Sequence, residues 1–306
     1  MKLVTFRHGQ EHPRAGLVTS HGVVDIAEAS YLLYPQAEAL PDDVLKLLYL
    51  EEGLDKVYDV YEILENEAPP QQLTFYESED IRLYSPLLRP GALLDFYTFE
   101  QHVRTCRAKR GLDVVPEWYD YPAYYNGNPR AVNGYGDSIV FPKNEDRRDY
   151  ELELAVVIGK KGKDISVENA AEYIAGYTVM NDWSARSVQA QVMKIGLGPA
   201  KGKDFATTLG PCLVTADEIE DVRNLTMTAH VNGEEWSRGN SGDSHYTFEQ
   251  MIAFASEGVT LYPGDVLGSG TVGTGCGLEL GKFLQPGDVV ELEIEGIGKL
   301  RNTVHG

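Results

Sequence analysis

The chain has 306 residues, enough to bury a large core, with 42% hydrophobic and 24% charged residues, the balance of an ordinary soluble globular protein. Its formal net charge of −20 argues against nucleic-acid and anionic-membrane partners, and no apolar run approaches the ~20 residues that a membrane-spanning helix needs. Cys106, Cys212 and Cys276 are widely spaced with no CxxC, which points to free thiols in a reducing compartment, and Arg7 and His8 come too early for a signal peptide, so a cytoplasmic location is expected.

Glycine is enriched, at 31 of 306 residues, which favours many turns and an all-β or α+β architecture; with the helices expected below, a β-rich α+β fold is the reading. Residues 2–6 and 15–19 are expected as short strands. A helix is expected from Asp42 to Leu50, entered through Pro41 and left before Gly53, and a second from Leu54 to Glu65 ahead of Pro69-Pro70. Ser85-Pro86-Leu87-Leu88-Arg89-Pro90-Gly91 has the composition of a linker, dividing a small N-terminal domain, 1–88, from a larger one, 89–306. His8, His12 and His21 have no partners at ligand spacing and are read as surface residues. Asp95 and His102 are seven apart, two turns if this segment is a helix running on to Lys109, and would then share a face. Pro116–Gly136 carries Trp118, Tyr119, Tyr121, Tyr124 and Tyr125 among prolines and glycines. It reads equally as a lid over a binding site or as an aromatic surface in an oligomer contact.

The stretch from Tyr150 to Thr208 organises the rest. Glu151 and Glu153 flank the start of an apolar run, Leu154-Ala155-Val156-Val157-Ile158, that reads as a buried strand, and alternation puts both carboxylates on one face. Two such groups repel each other and resist desolvation unless a cation neutralises them. Asp182 follows a second strand-like run, Tyr177-Thr178-Val179-Met180, and would bring a third carboxylate to the same place. Hard oxygen donors suit Mg²⁺, Mn²⁺ or Ca²⁺ better than Zn²⁺. The alternative is a solvated edge strand; the continuous apolar run and the cluster of Asp182, Trp183 and Arg186 favour the metal reading.

Between these runs a helix is expected over about 166–175, ended by Gly176. Asp182, Arg186 and Gln189 fall at i, i+4 and i+7, one face of a helix, which would serve an anionic substrate or, alternatively, form a plain salt-bridged surface. The loop from Gly196 to Thr208 lacks GxxxxGK[ST] and is no P-loop; Lys203 is its candidate oxyanion donor, or a solvated lysine. Strands are expected at 212–215, 225–231 and 290–295, a helix at Thr247–Glu257, and Gly273, Gly275 and Gly277 would let backbone approach a ligand closely.

Taken in order, Asp95-Phe96-Tyr97 with His102, Tyr121-Pro122-Ala123-Tyr124-Tyr125, Glu151-x-Glu153, Met180-Asn181-Asp182-Trp183-Ser184-Ala185-Arg186 with Gln189, Gly202-Lys203 and Gly275-Cys276-Gly277-Leu278-Glu279 resemble the fumarylacetoacetate hydrolase family over about residues 90–300. The resemblance implies a mixed β-roll with flanking helices, usually dimeric. It implies metal ligands at Asp95, Glu151, Glu153 and Asp182, with Mg²⁺ the first choice and Mn²⁺ or Ca²⁺ the others. His102 would match the general base and Glu279 the residue orienting it. Arg186, Gln189 and Lys203 would match the oxyanion and substrate contacts, and Tyr97, Tyr125 and Thr271 the substrate-binding positions. The implied activity is hydrolysis of a C–C bond in a β-diketo acid. The alternatives are a lyase, hydratase, isomerase or decarboxylase acting on a 2-keto acid through an enolate, or, outside enzymes, a metal-stabilised binding module.

Overall fold

The structure, a computed structural model, describes residues 1–305. Its centre is the strand Leu152–Ile158, every residue of which is buried. A strand covered on both faces carries a continuous apolar run instead of alternation. Leu152, Leu154, Val156 and Ile158 enter one core, while Ala155 and Val157 enter a second. By the same alternation Glu151 and Glu153 lie at the end of the Ala155–Val157 face.

This strand sits inside an 11-stranded sheet. Its neighbours run in the order Gly22–Asp25, Arg14–Thr19, Lys2–His8, Thr207–Thr215, Ile174–Asp182, Leu152–Ile158, Val266–Gly268, Leu93–Phe96 and Tyr124–Asn126. Ile81–Leu83 adds to Lys2–His8 and Val132–Asn133 to Thr207–Thr215. A second, five-stranded sheet runs Glu234–Asn240, Thr226–Val231, Val289–Ile294, Gly298–His305, Ser138–Val140. In it Val290, Leu292 and Ile294 point to the core, and Glu293 between them is exposed, the period of two that a half-buried strand requires.

The first 88 residues share the large sheet with the rest, because Lys2 and Leu3 pair with Val214 and Leu213. Helices Ile26–Leu33, Val44–Tyr49 and Gly53–Asn66 send Ile26, Leu47, Val57, Val60 and Leu64 into the core that holds Ala155 and Val157. Asp43 and not Asp42 caps the second of these helices, accepting from the Lys46 N–H at 3.1 Å. No helix among the described residues is long and apolar enough to cross a membrane.

Three local expectations are corrected. Asp95 lies in the strand Leu93–Phe96, and the helix carrying His102 begins only at Glu100, so the two do not share a helix face; strand partners on both sides of Leu93–Phe96 override the helical spacing. Asp182 ends the strand Ile174–Asp182, and the next helix, Arg186–Val192, starts four residues later, so Asp182 is not on one helix face with Arg186 and Gln189. Gly176 sits within that strand and caps nothing: the preceding segment, Val167–Tyr173, is a 3-10 helix. A Cβ on Gly176 would meet the Val214 carbonyl oxygen at 2.0 Å, so close strand approach is the reason for glycine there. The aromatic segment 116–136 is stitched into the fold, with Trp118 buried and Tyr124–Asn126 paired to Leu93–Phe96.

Candidate active site

Three buried carboxylates converge where neighbouring strands of the large sheet end. Glu153 comes from Leu152–Ile158, Asp182 from Ile174–Asp182 and Asp95 from Leu93–Phe96, and one oxygen of each lies within 4.8 Å of the others. Asp95 stands opposite Gly268 on the intervening strand. A Cβ there would fall 2.9 Å from Glu153 Oε2 and 2.8 Å from Met180 Sδ, so the glycine is what leaves Glu153 room to face Asp95. The Gly270 N–H donates to Glu153 Oε2 at 2.9 Å, and the Thr271 hydroxyl lies 3.4 Å from Oε1. Tyr125 donates its hydroxyl to Asp182 Oδ2 at 2.7 Å.

This arrangement is electrostatically poor as it stands. Burial, then repulsion from Glu153 and Asp182, pushes the Asp95 carboxyl well above its ordinary value. Burial, then Asp182 and Glu151, does the same to Glu153, and burial raises Asp182 against the opposing pull of Lys203. Asp95 Oδ1 and Asp182 Oδ1 are buried with no hydrogen-bond partner. An all-oxygen set with orphaned lone pairs fits a hard divalent cation.

Glu151, two residues from Glu153, has a different environment. Arg186 Nη2 donates to Oε1 at 2.7 Å, and Lys203 Nζ bridges Oε2 and Asp182 Oδ2, each at 2.5 Å. Burial pushes Glu151 up, but Lys203, Arg186 and His102 outweigh it and hold the carboxyl far below its ordinary range. Of the four expected ligands, then, Asp95, Glu153 and Asp182 come together, while Glu151 faces two cations beside them. Arg186 Nε binds Asp149 Oδ2 at 2.7 Å and Nη1 binds Gln189 Oε1 at 3.0 Å. The short strand Ser184–Ala185 pairs with Arg148–Asp149, which sets Arg186 against Asp149. Asp149 escaped the sequence reading, although it continues the alternation of Glu151 and Glu153 by one step. It also accepts the N–H groups of Gly277 and Leu278 at 2.7 and 3.0 Å, which holds the glycine-rich loop against the site.

On the far side of Glu151 lies His102. Its Nδ1 is 2.8 Å from Glu279 Oε2, its Nε2 is 3.9 Å from Glu151 Oε1, and the Tyr97 ring meets it edge-on at 5.4 Å. Glu279 is held in turn by the Thr274 N–H at 3.1 Å. Burial works against a charged imidazole, yet hydrogen bonds to Cys276 and Glu279 prevail and hold the His102 pKa well above its ordinary value. All twelve sequence candidates lie in or beside this site, Tyr97 against His102, Tyr125 on Asp182 and Thr271 on Glu153.

The family model described as fumarylacetoacetate (FAA) hydrolase C-terminal matches residues 92–305. The chain belongs to the fumarylacetoacetate hydrolase family. The matched segment begins just past the expected boundary at 88 and carries every residue of the site. A rat oxaloacetate tautomerase, Fahd2a, is 34% identical over 99% of this chain and 91% of its own length. Maleylpyruvate hydrolase of Aquipseudomonas alcaligenes is 31% identical over 98% of both. A solved structure of a putative HpcE protein from Mycobacterium smegmatis superposes with a TM-score of 0.79 at 27% identity, covering 100% of this chain and 99% of that one. The fold is therefore that of the fumarylacetoacetate hydrolase family, and the family's members named here are enzymes that act on keto acids and include both isomerases and hydrolases.

Proposed function

We propose that this protein interconverts the enol and keto forms of a 2-oxo dicarboxylic acid of the oxaloacetate type, with a divalent cation, Mg²⁺ or Mn²⁺, as cofactor. The observation that carries this reading is His102, whose Nδ1 is anchored on Glu279 at 2.8 Å and whose pKa is held up. An imidazolium at neutral pH is a proton donor, which is what conversion of an enol to a ketone needs at carbon. The relative at 34% identity over nearly the whole chain is an oxaloacetate tautomerase, which supports the choice of substrate.

Asp95, Glu153 and Asp182 would hold the cation, which when bound supplies positive charge for the oxygens of the 2-oxo acid and for the developing enolate. The rest of the chemistry belongs to side chains. Glu279 fixes the ring so that Nε2 faces Glu151 and the site interior. His102 gives its proton to the substrate C3 as the enol O–H proton is lost to solvent, so the net change is one proton moved from oxygen to carbon. Solvent then returns a proton to the imidazole, which restores the imidazolium and closes the cycle. Lys203 and Arg186 keep Glu151 ionised and present a positive wall to the substrate oxygens. Gln189 accepts from Arg186 through Oε1, which leaves its NH₂ for the substrate's distal carboxylate.

Hydrolysis of a C–C bond in a β-diketo acid is the second reading. It is favoured by the same His102–Glu279 pair used in the opposite sense, as a base that draws a proton from water, and by the similarity to a maleylpyruvate hydrolase along nearly the full length. Incubating the Mg²⁺-loaded protein with enol-oxaloacetate and, separately, with maleylpyruvate and acylpyruvates separates the readings. Accelerated loss of the enol absorbance with no new acid supports tautomerisation. Release of pyruvate with a second acid supports hydrolysis, and no change in any substrate sinks both.

A further inference from the structure

Two of the chain's three cysteines, 170 residues apart, flank one imidazole. Cys106 follows His102 by one turn of the helix Glu100–Ala108, and Cys276 precedes Glu279 across the start of the helix Gly277–Leu280. Each helix therefore offers one sulfur and one nitrogen or oxygen to the same spot. Cys106 Sγ lies 3.7 and 3.8 Å from the two ring nitrogens of His102. Cys276 Sγ lies 3.9 Å from His102 Nδ1 and 3.4 Å from Glu279 Oε2. One ligand atom of each of Cys106, Cys276 and His102 lies within 4.8 Å of the others, and all three residues are buried.

We infer that Cys106, Cys276, His102 and Glu279 form a second metal site, chemically distinct from the carboxylate cradle and suited to a thiophilic transition-metal ion such as Zn²⁺. A tetrahedral Zn²⁺ with sulfur at ~2.3 Å and imidazole nitrogen at ~2.0 Å separates those two atoms by about 3.6 Å. The two sulfur–Nδ1 spacings, 3.7 and 3.9 Å, are already within a few tenths of an ångström of that value. Nδ1 is the nitrogen both sulfurs approach, and Glu279 Oε2 beside it supplies a fourth donor. Binding exchanges protons for metal: the two thiols and the Nδ1 of the His102 imidazolium each lose one to solvent, leaving a neutral imidazole protonated on Nε2. Mg²⁺ has no preference for thiolates, so the two sites sort their ions by ligand type. Occupation takes His102 and Glu279 out of proton transfer and silences the enzyme, a consequence that rests on the role proposed for His102 above; the binding itself does not.

Co²⁺ added to the full-length protein in excess Mg²⁺ tests the binding. Thiolate ligands give an intense sulfur-to-cobalt absorption in the near ultraviolet, which carboxylates do not. The expected result is one equivalent of Co²⁺ bound with that absorption and displaced by Zn²⁺. Cys106→Ser and, independently, Cys276→Ser should each weaken Co²⁺ and Zn²⁺ binding by at least about tenfold and diminish the band. Cys106→Ser should also keep its Mg²⁺-dependent turnover and become less sensitive to Zn²⁺. Absence of the band in the folded wild-type protein, or unaltered Co²⁺ and Zn²⁺ affinity in both variants, overturns the site. A normal band with turnover indifferent to Zn²⁺ overturns the inhibitory role. The spectroscopic arm reads the site even if neither oxo-acid reaction is detected.

Discussion

Glu151 and Glu153 sit two residues apart on the same face of one segment, both almost fully buried, and their environments are opposite. Glu151 is clamped between Arg186 and Lys203 and stays ionised far below the ordinary carboxylate range. Glu153 faces Asp95 and Asp182 and is driven up toward the protonated form. Burial is common to the two, so it does not decide the outcome; the sign of the nearest charge does. The paired region is complete in the protein alone. The cradle keeps buried carboxylate oxygens without partners, Asp95 Oδ1 and Asp182 Oδ1, and that difference is what the proposed cation site rests on.

The sharpest way to break this contrast is to neutralise each glutamate in turn. Glu151→Gln leaves Arg186 and Lys203 buried without their shared anion, so stability should fall by about 3–5 kcal/mol in urea denaturation. Glu153→Gln should instead raise the melting temperature of metal-free protein by relieving repulsion, while calorimetry shows Mg²⁺ affinity lost. If both substitutions destabilise the metal-free protein equally, the contrast is wrong. Next in size, His102→Ala should slow turnover by ~10² to 10⁴-fold with Mg²⁺ affinity nearly unchanged, and Glu279→Gln should cost less, since orientation suffers before proton transfer does. Loss of Mg²⁺ from His102→Ala would make His102 a ligand of the carboxylate site and undo its assignment as the proton donor.

Gly268→Ala probes the space between the two strands that carry Asp95 and Glu153. Its Cβ would press Glu153 Oε2 and Met180 Sδ, so a loss of about 1–3 kcal/mol is expected, together with weaker Mg²⁺ binding. A variant with wild-type melting and affinity would show that the strands adjust freely. The smallest effect is the pH profile. Asp95, Glu153 and Asp182 have folded values raised above those of the unfolded chain, near 4. Above that pH the folded state keeps protons the unfolded state has lost, so stability falls as pH rises until the folded carboxyls have ionised. Glu151 works in the other direction: its contribution is present above the ordinary carboxylate value and is lost only in strong acid. In EDTA the melting temperature should therefore drop as pH rises above the ordinary carboxylate value, and Mg²⁺ should flatten the slope. A rising or flat profile in EDTA would argue against a repulsive cradle.

The segment 116–136 shows what local composition leaves open. Its aromatic and glycine content fits a lid and an oligomer contact equally; the structure adds that Tyr124–Asn126 pairs with the strand carrying Asp95 and that Tyr125 reaches Asp182. The spacing of Asp95 and His102 allowed a shared helix face, because a four-residue strand is too short to show a period that competes with a helical one.

The sequence by itself determined the buried strand Leu152–Ile158, the two glutamates on one face of it, the family, and the twelve candidate side chains that the fold brings together; Asp149 was not among them. Those features are local: period-two alternation, an apolar run and ordered motifs survive without three-dimensional knowledge. Only the tertiary structure decided that Glu151 meets two cationic side chains while Glu153 meets two carboxylates, because Arg186 and Lys203 reach Glu151 from segments 35 and 52 residues away. It alone brought Cys106 and Cys276 to the same imidazole, since sequence separation carries no information about which helices pack together. Charge pairing and ligand clustering are properties of distance in space, and at these separations distance is set by sheet order and by the packing of one helix on another.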